Sequence, residues 1–326
     1  MCRLLAGALA GLVALIAMSA TPAAANAPQA NGQILFARFD PLLDDNVIYT
    51  VNPDGSHERQ VLPLALGCPH WSPDGTRIVT CGGPANSATT LINPDDGSYR
   101  LLPMPDPDNL FTACPVMSPD AARLACEGIG QTDPSLNGIY TIRTSDGGGL
   151  TRMTSNPGGD DIPGDYSPQG KRLVFARFDR DGDPIALFVV KIDGAGLRQI
   201  TPTRTIFSGG GGGNDWSPQG NEIVFSQRVT PDVRSSLWVV NADGSGLHEI
   251  HLQGQPPCGG PISDPTARGC FEPRWSPDGK KIVFGIFTAV AGRNIYTVNA
   301  DGTGLTQVTH GDDDILPDWG THPLTR

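Results

Sequence analysis

One short motif returns five times along the chain: "WSPDG" at Trp71, "MSPDA" at Met117, "YSPQG" at Tyr166, "WSPQG" at Trp216 and "WSPDG" at Trp275. Successive copies lie 46, 49, 50 and 59 residues apart. Recurrence at roughly 40–60 residues marks propellers and solenoids, in which one small unit stacks against copies of itself. Each copy runs on into a short apolar stretch: "RIVTC", "RLACE", "RLVFA", "EIVFS" and "KIVFG". The pentapeptide "FARFD" at residues 36–40 and again at 175–179 belongs to the same position of the unit. Further on in each unit an apolar run ends in an Asp-Gly turn, as in "VIYTVNPDG", "LFVVKIDG" and "IYTVNADG". Apolar runs of four to six residues closed by Gly-containing turns predict antiparallel strands joined as hairpins. No stretch has a helical period, and 41 Gly with 30 Pro suit a turn-dense chain.

One unit therefore predicts four strands. Six Asp-Gly turns accompany only five complete leaders, and the missing leader stands at the far end as "LPDWG", residues 316–320. The first strands, "NGQILFARFD", lack a leader of their own. Joining the two ends completes a sixth unit and removes the exposed sheet edges of an open stack. The expectation is an all-β, six-bladed propeller of four-stranded antiparallel blades over residues 33–326, closed by the C-terminal inner strand joining the N-terminal strands.

The "P-x-WSPDG" leader followed by an "IY-x-V-N-x-DG-x-x-LT" hairpin resembles the TolB-type β-propeller repeat family over residues 30–326. Met117 with Ala121, and Tyr166, depart from the Trp and Gly of the pattern. The resemblance would also imply an additional N-terminal α/β domain, which the short leader at 26–32 is not expected to accommodate. The resemblance implies a fold; it does not fix an activity.

Composition sets the compartment. Arg3 precedes a small apolar run at residues 4–17, followed by "MSATPAAANA". That pattern predicts a secretory signal peptide over residues 1–25. Its removal takes the net charge from −11 to −12, because Arg3 is the only charge lost. So acidic a surface disfavours nucleic acid. Stable membrane insertion is not expected, since no later segment is apolar enough to span a bilayer. The mature chain is expected to be exported, as a monomer, to the periplasm, the cell wall or the medium.

Six cysteines remain after the leader, and an even number in an oxidising compartment reads as disulfides. Cys68 and Cys114 each stand three residues before a motif position, and Cys81 and Cys126 end the next strand. Pairing 68–81 and 114–126 would staple first to second strand in adjacent blades; 258–270 would close the long insert "QGQPPCGGPISDPTARGC". Fifteen connectivities are open to six cysteines. Cys81 and Cys126 are moreover offset by one residue within their repeats, which flips faces on a strand.

Trp71, Trp216, Trp275 and Trp319 recur once per unit, as wedge packing between blades demands. Ser-Pro-Asp-Gly is a turn, so Asp74 and Asp278 are read as turn residues and not as catalytic groups. Binding residues are sought where units differ. The residues just before the Trp position are His70, Val116, Asp165, Asp215, Arg274 and Asp318. His70, Asp165, Asp215, Arg274 and Asp318 are therefore the candidate ligand or partner contacts at the channel mouth. "DRDGDP" offers Asp179, Asp181 and Asp183 as candidate metal ligands, with calcium the ion such acids would suit. Loops of one face also carry Asp40, Asp44, Asp45, Asp160, Asp161 and Asp312 to Asp314.

No G-x-S-x-G or H-E-x-x-H occurs. The leading expectation is a non-enzymatic module recognising a protein or peptide through its acidic loop face. The alternative is a metal-dependent lyase or hydrolase working at the channel mouth.

Overall fold

The computed structural model describes residues 29–84, 87–106, 108–203, 205–207, 213–311 and 313–325. The expected signal peptide, residues 26–28 of the leader and Asp312 lie outside them.

Second strands such as Arg172–Phe178 and Lys281–Thr288 carry central apolar runs, residues 173–176 and 282–286, buried on both faces. A sheet with two buried faces needs a neighbour on each side, and the chain supplies them as a ring of six antiparallel blades. Blade 1 joins Asp314–Trp319 to Ile34–Asp40, Asp45–Val51 and Arg59–Leu62. Blade 2 holds His70–Trp71, Ile78–Val79, Ser87–Ile92 and Tyr99–Pro103. Blade 3 holds Leu110–Met117, Arg123–Gly130, Gly138–Arg143 and Thr151–Arg152. Blade 4 holds Asp161–Tyr166, Arg172–Phe178, Pro184–Lys191 and Arg198–Gln199. Blade 6 holds Gly269–Trp275, Lys281–Thr288, Gly292–Asn299 and Thr306–Gln307. Among the described residues there is no α-helix; a 3-10 turn stands at Pro134–Leu136.

The ring closes as the sequence predicts: Ile34 pairs with Trp319, Leu35 with Asp318 and Arg38 with Asp314. Blade 5 departs from four strands. Its inner position holds two short strands, Ile206–Phe207 and Asn214–Trp216, both pairing with Glu222–Arg228. Ser236–Asn241 and His248–Glu249 complete that blade.

Each interface between blades has its own apolar cluster, and each cluster contains one motif residue. Trp71 packs blade 2 onto Leu35 and Ile48 of blade 1. Met117 packs on Val79 and Leu91, Tyr166 on Val116 and Ala125, and Trp216 on Val174 and Leu187. Trp275 and Trp319 fill the last two joints.

The motif turn is held by its own side chains. Ser72 Oγ donates to Asp74 Oδ1 (2.6 Å) and accepts from Arg77 N (2.9 Å). Gly75 takes φ 69°, and at the departing copy Ala121 is held at φ 56°.

The three disulfides are Cys68–Cys81, Cys114–Cys126 and Cys258–Cys270. A bulge resolves the one-residue offset in blade 3. Register steps from Ala113 opposite Glu127 to Val116 opposite Ala125, so Cys114 and Pro115 share the span facing Cys126.

Candidate functional site

The inner strands kink just before the motif. In blades 3, 4 and 6 the register slips between Ala113 and Val116, Pro163 and Asp165, and Phe271 and Arg274. The bulge turns the next side chain toward the axis of the ring. His70, Val116, Asp165, Asp215, Arg274 and Asp318 all line one cavity of about 230 Å³. The structure thus brings the sequence-derived ring together. Its cavity opens among the Ser-Pro turns, lined by Pro73, Pro119, Pro168, Pro218 and Pro277. That is the end of the channel away from the acidic loops.

The three acids of the ring have structural work. Asp318 Oδ2 accepts Trp71 N (2.6 Å), Asp165 Oδ2 accepts Trp216 N (3.2 Å) and Asp215 Oδ2 accepts Trp275 N (2.6 Å). Each carboxylate so ties its own blade to the Trp of the following one. Arg274 donates from Nη1 to Asn214 O (3.1 Å) and lies 3.6 Å from Asp215 Oδ1.

Burial raises all three acids. Asp165 is pushed well above the carboxylate range by desolvation, then by the neighbouring Asp215. Asp215 rises for the same first reason, opposed by Arg274 and the Trp275 N–H. Asp318 is pushed up to about 6 by burial, with Arg274 opposing. Burial and Arg274 together push His70 well below its usual value, so its 3.8 Å approach to Asp318 is not an ion pair at neutral pH.

The loop acids divide into two kinds. Asp44, Asp45, Asp181 and Asp183 are exposed. Asp161 and Asp314 are buried beneath Arg177 and Arg38, and so are not part of an acidic surface. In the "DRDGDP" loop, Asp179 Oδ1 accepts the N–H groups of Asp181 and Asp183, both at 3.0 Å. Its carboxylate is turned onto its own loop. Among the described residues no three His, Cys, Asp or Glu side chains are grouped so as to hold a metal ion.

Two carboxyls escaped sequence reasoning. Glu127 and Glu272 line a second cavity of about 250 Å³ at the other end of the channel, beside Cys68 and Cys81. Burial pushes both up to about 7, and Asp160 and Asp161 add to the effect at Glu127. Glu272 sits at φ 52° and accepts the N–H of Leu316 (2.6 Å), itself at φ 54°. A usable signal was its place three before the Trp, the position the bulge exposes to the channel.

No family model matches the chain, and no curated protein matches it. Solved structures do. A protein assigned as TolB from Agrobacterium tumefaciens superposes with a TM-score of 0.63 at 20% identity, over 86% of this chain and 89% of that one. TolB from Acinetobacter baumannii gives 0.66 at 18% identity, over 89% of this chain and 66% of that one. Oligogalacturonate lyase from Vibrio parahaemolyticus gives 0.53 at 12% identity, over 85% and 74%. The fold is that of a TolB-type propeller, and at these identities the likeness extends to fold alone.

Proposed function

We propose that the protein is an exported, non-enzymatic binding module that recognises a protein or peptide partner. Its recognition surface is the face formed by the loops between second and third strands, centred on blades 5, 6 and 1. The observation that carries this reading is a run of exposed apolar side chains there. Leu42 in blade 1 is 93% exposed, Val290 in blade 6 is 78%, Val229 in blade 5 is 62% and Ile262 in the insert is 46%. Exposed apolar groups gathered on one face and interspersed with charge, here Asp44 and Asp45, mark a surface awaiting a partner. The three disulfides fit an exported protein, in the periplasm, at the cell wall or in the medium.

The channel-mouth acids are better explained as structure than as chemistry, since each holds the next blade's backbone. The test is affinity capture from envelope and secreted fractions with the oxidised mature protein and with Leu42→Asp/Val290→Asp. A stoichiometric partner held by the wild type and lost by the variant supports the reading. A partner retained equally by both, or none captured at all, removes it.

A further inference from the structure

The one large irregularity of the repeat builds a cavity. Trp216 and Trp275 are 59 residues apart, and the extra chain falls between His248–Glu249 and Gly269–Trp275. It is tied by Cys258–Cys270 and by backbone bonds from Arg234 N to Gly260 O and from Ile262 N to Asp232 O, both 2.9 Å. So anchored, it walls a cavity of about 320 Å³ between blades 5 and 6, on the loop face.

Three arginines line this cavity, Arg228, Arg234 and Arg293, and its walls include Phe271, Phe287 and Ile262. Arg234 lies over the Phe287 ring, 4.9 Å from its centroid. Its Nε is buried and has no hydrogen-bond partner. Among the described residues neither Arg228 nor Arg234 forms an ion pair, whereas Arg293 is shared with Asp313 at 3.1 Å. Acids do stand nearby. Asp264 is exposed and spends its Oδ1 on Thr266. Glu272, at the inner end, is held by the Leu316 N–H and pushed by burial up to about 7. An enclosed guanidinium N–H without an acceptor is costly, and like charges lining one cavity repel. In a chain of net charge −11, such a cluster has been kept against the trend of the surface. An anion would satisfy both groups, and the guanidinium fork suits a planar carboxylate.

We infer that this cavity binds a carboxylate carried on an apolar or aromatic body, with Arg228 and Arg234 on the acid and Phe271 and Phe287 on the body. The volume is near the lower limit for ligand pockets, so the body is about the size of one aromatic residue. A free organic acid and the C-terminal residue of a protein both present this chemistry. The second source would place the cavity within the recognition surface proposed above and rests on that reading; the first does not.

The probes are 3-phenylpropionate and N-acetyl-Ala-Phe, each compared with its carboxamide, titrated calorimetrically into the mature oxidised protein. Both acids should saturate, and both amides should bind about tenfold more weakly or worse, the worth of one charged hydrogen bond. Arg234→Gln should weaken the acids by a similar factor and leave the amides alone. Arg228→Gln gives the same readout if the first variant does not fold. Tighter binding of the peptide acid than of 3-phenylpropionate assigns a protein C-terminus; equal binding assigns a free acid. Acid and amide binding alike, neither acid saturating, or acid binding untouched in a folded arginine variant would overturn the inference. Leu42→Asp separates the two readings, since it should abolish partner capture yet leave 3-phenylpropionate binding unchanged.

Discussion

Arg177 forks onto the carboxylate of Asp161: Nε lies 2.7 Å from Oδ1 and Nη2 2.7 Å from Oδ2, with the Asp161 side chain wholly enclosed. Three blades away Arg38 makes the same fork on Asp314, at 2.6 and 3.1 Å. Each acid opens its inner strand, and each arginine lies on the second strand directly opposite. Beneath the guanidinium groups lie stacked ring pairs, Phe175 with Phe188 and Phe36 with Tyr49. The repeated "FARFD" is therefore a clamp between first and second strands: the leading Phe supplies a ring and the Arg supplies the fork.

Breaking that clamp on one side leaves a charge without its partner in a half-closed site. Asp161→Ala should cost about 3–5 kcal/mol in urea denaturation at pH 7. Asp161→Ala with Arg177→Met should cost less than the two single changes together, because the orphaned cation is gone. A single-variant loss below about 1 kcal/mol would show that the pair behaves as a surface contact.

The pentapeptide was legible as a repeat long before its purpose was. Asp161 lies 16 residues before Arg177, but Asp314 is 276 residues after Arg38, and only ring closure shows the two pairs to be one device. Read by composition, both acids look like solvated loop charges, since sequence does not distinguish a free carboxylate from a clamped one. The channel ring was readable because its distance from the Trp is fixed by the strand. The cavity under the insert was not, because Phe271 and Arg293 come from two strands of blade 6 and meet Arg228 only through the packing of blade 5 on blade 6.

The turn after Met117 offers a local test of the repeat grammar. Ala121 occupies the place that glycine holds in the other copies and is exposed at φ 56°. A side chain in that region is strained, whereas glycine enters it freely but loses more entropy on folding. The balance predicts that Ala121→Gly stabilises the protein by about 0.5–1 kcal/mol. Thermal melts should show a small rise in midpoint, and a fall would mean that the Ala methyl makes a contact worth more than the strain.

Glu272 should make stability fall toward alkaline pH. Burial raises it from the ordinary 4.5 to about 7, so between these values the folded chain holds a proton that the unfolded chain releases. Stability is then highest below about pH 4.5, declines through pH 7 and is level beyond, as far as this group is concerned. Glu272→Gln keeps an acceptor for Leu316 N and removes the charge. Its gain should be near zero at pH 4.5 and about 1–3 kcal/mol at pH 8. Denaturation at the two pH values decides it: an equal gain at both would assign the effect to packing.

Asp318 distinguishes a blade tie from a channel ligand. Its Oδ2 accepts Trp71 N across the blade joint and its Oδ1 accepts Trp319 N at 2.9 Å. Asparagine still offers an oxygen to the first of these, and it relieves the cost of burying a charge, the cost that pushes Asp318 up to about 6. Asp318→Ala should therefore cost about 1–3 kcal/mol by leaving the N–H groups unpaired, and Asp318→Asn less than about 1 kcal/mol at pH 7. Urea denaturation of the two variants ranks them. If asparagine proves as damaging as alanine, the negative charge itself is what the channel requires, with Arg274 the cation that it meets.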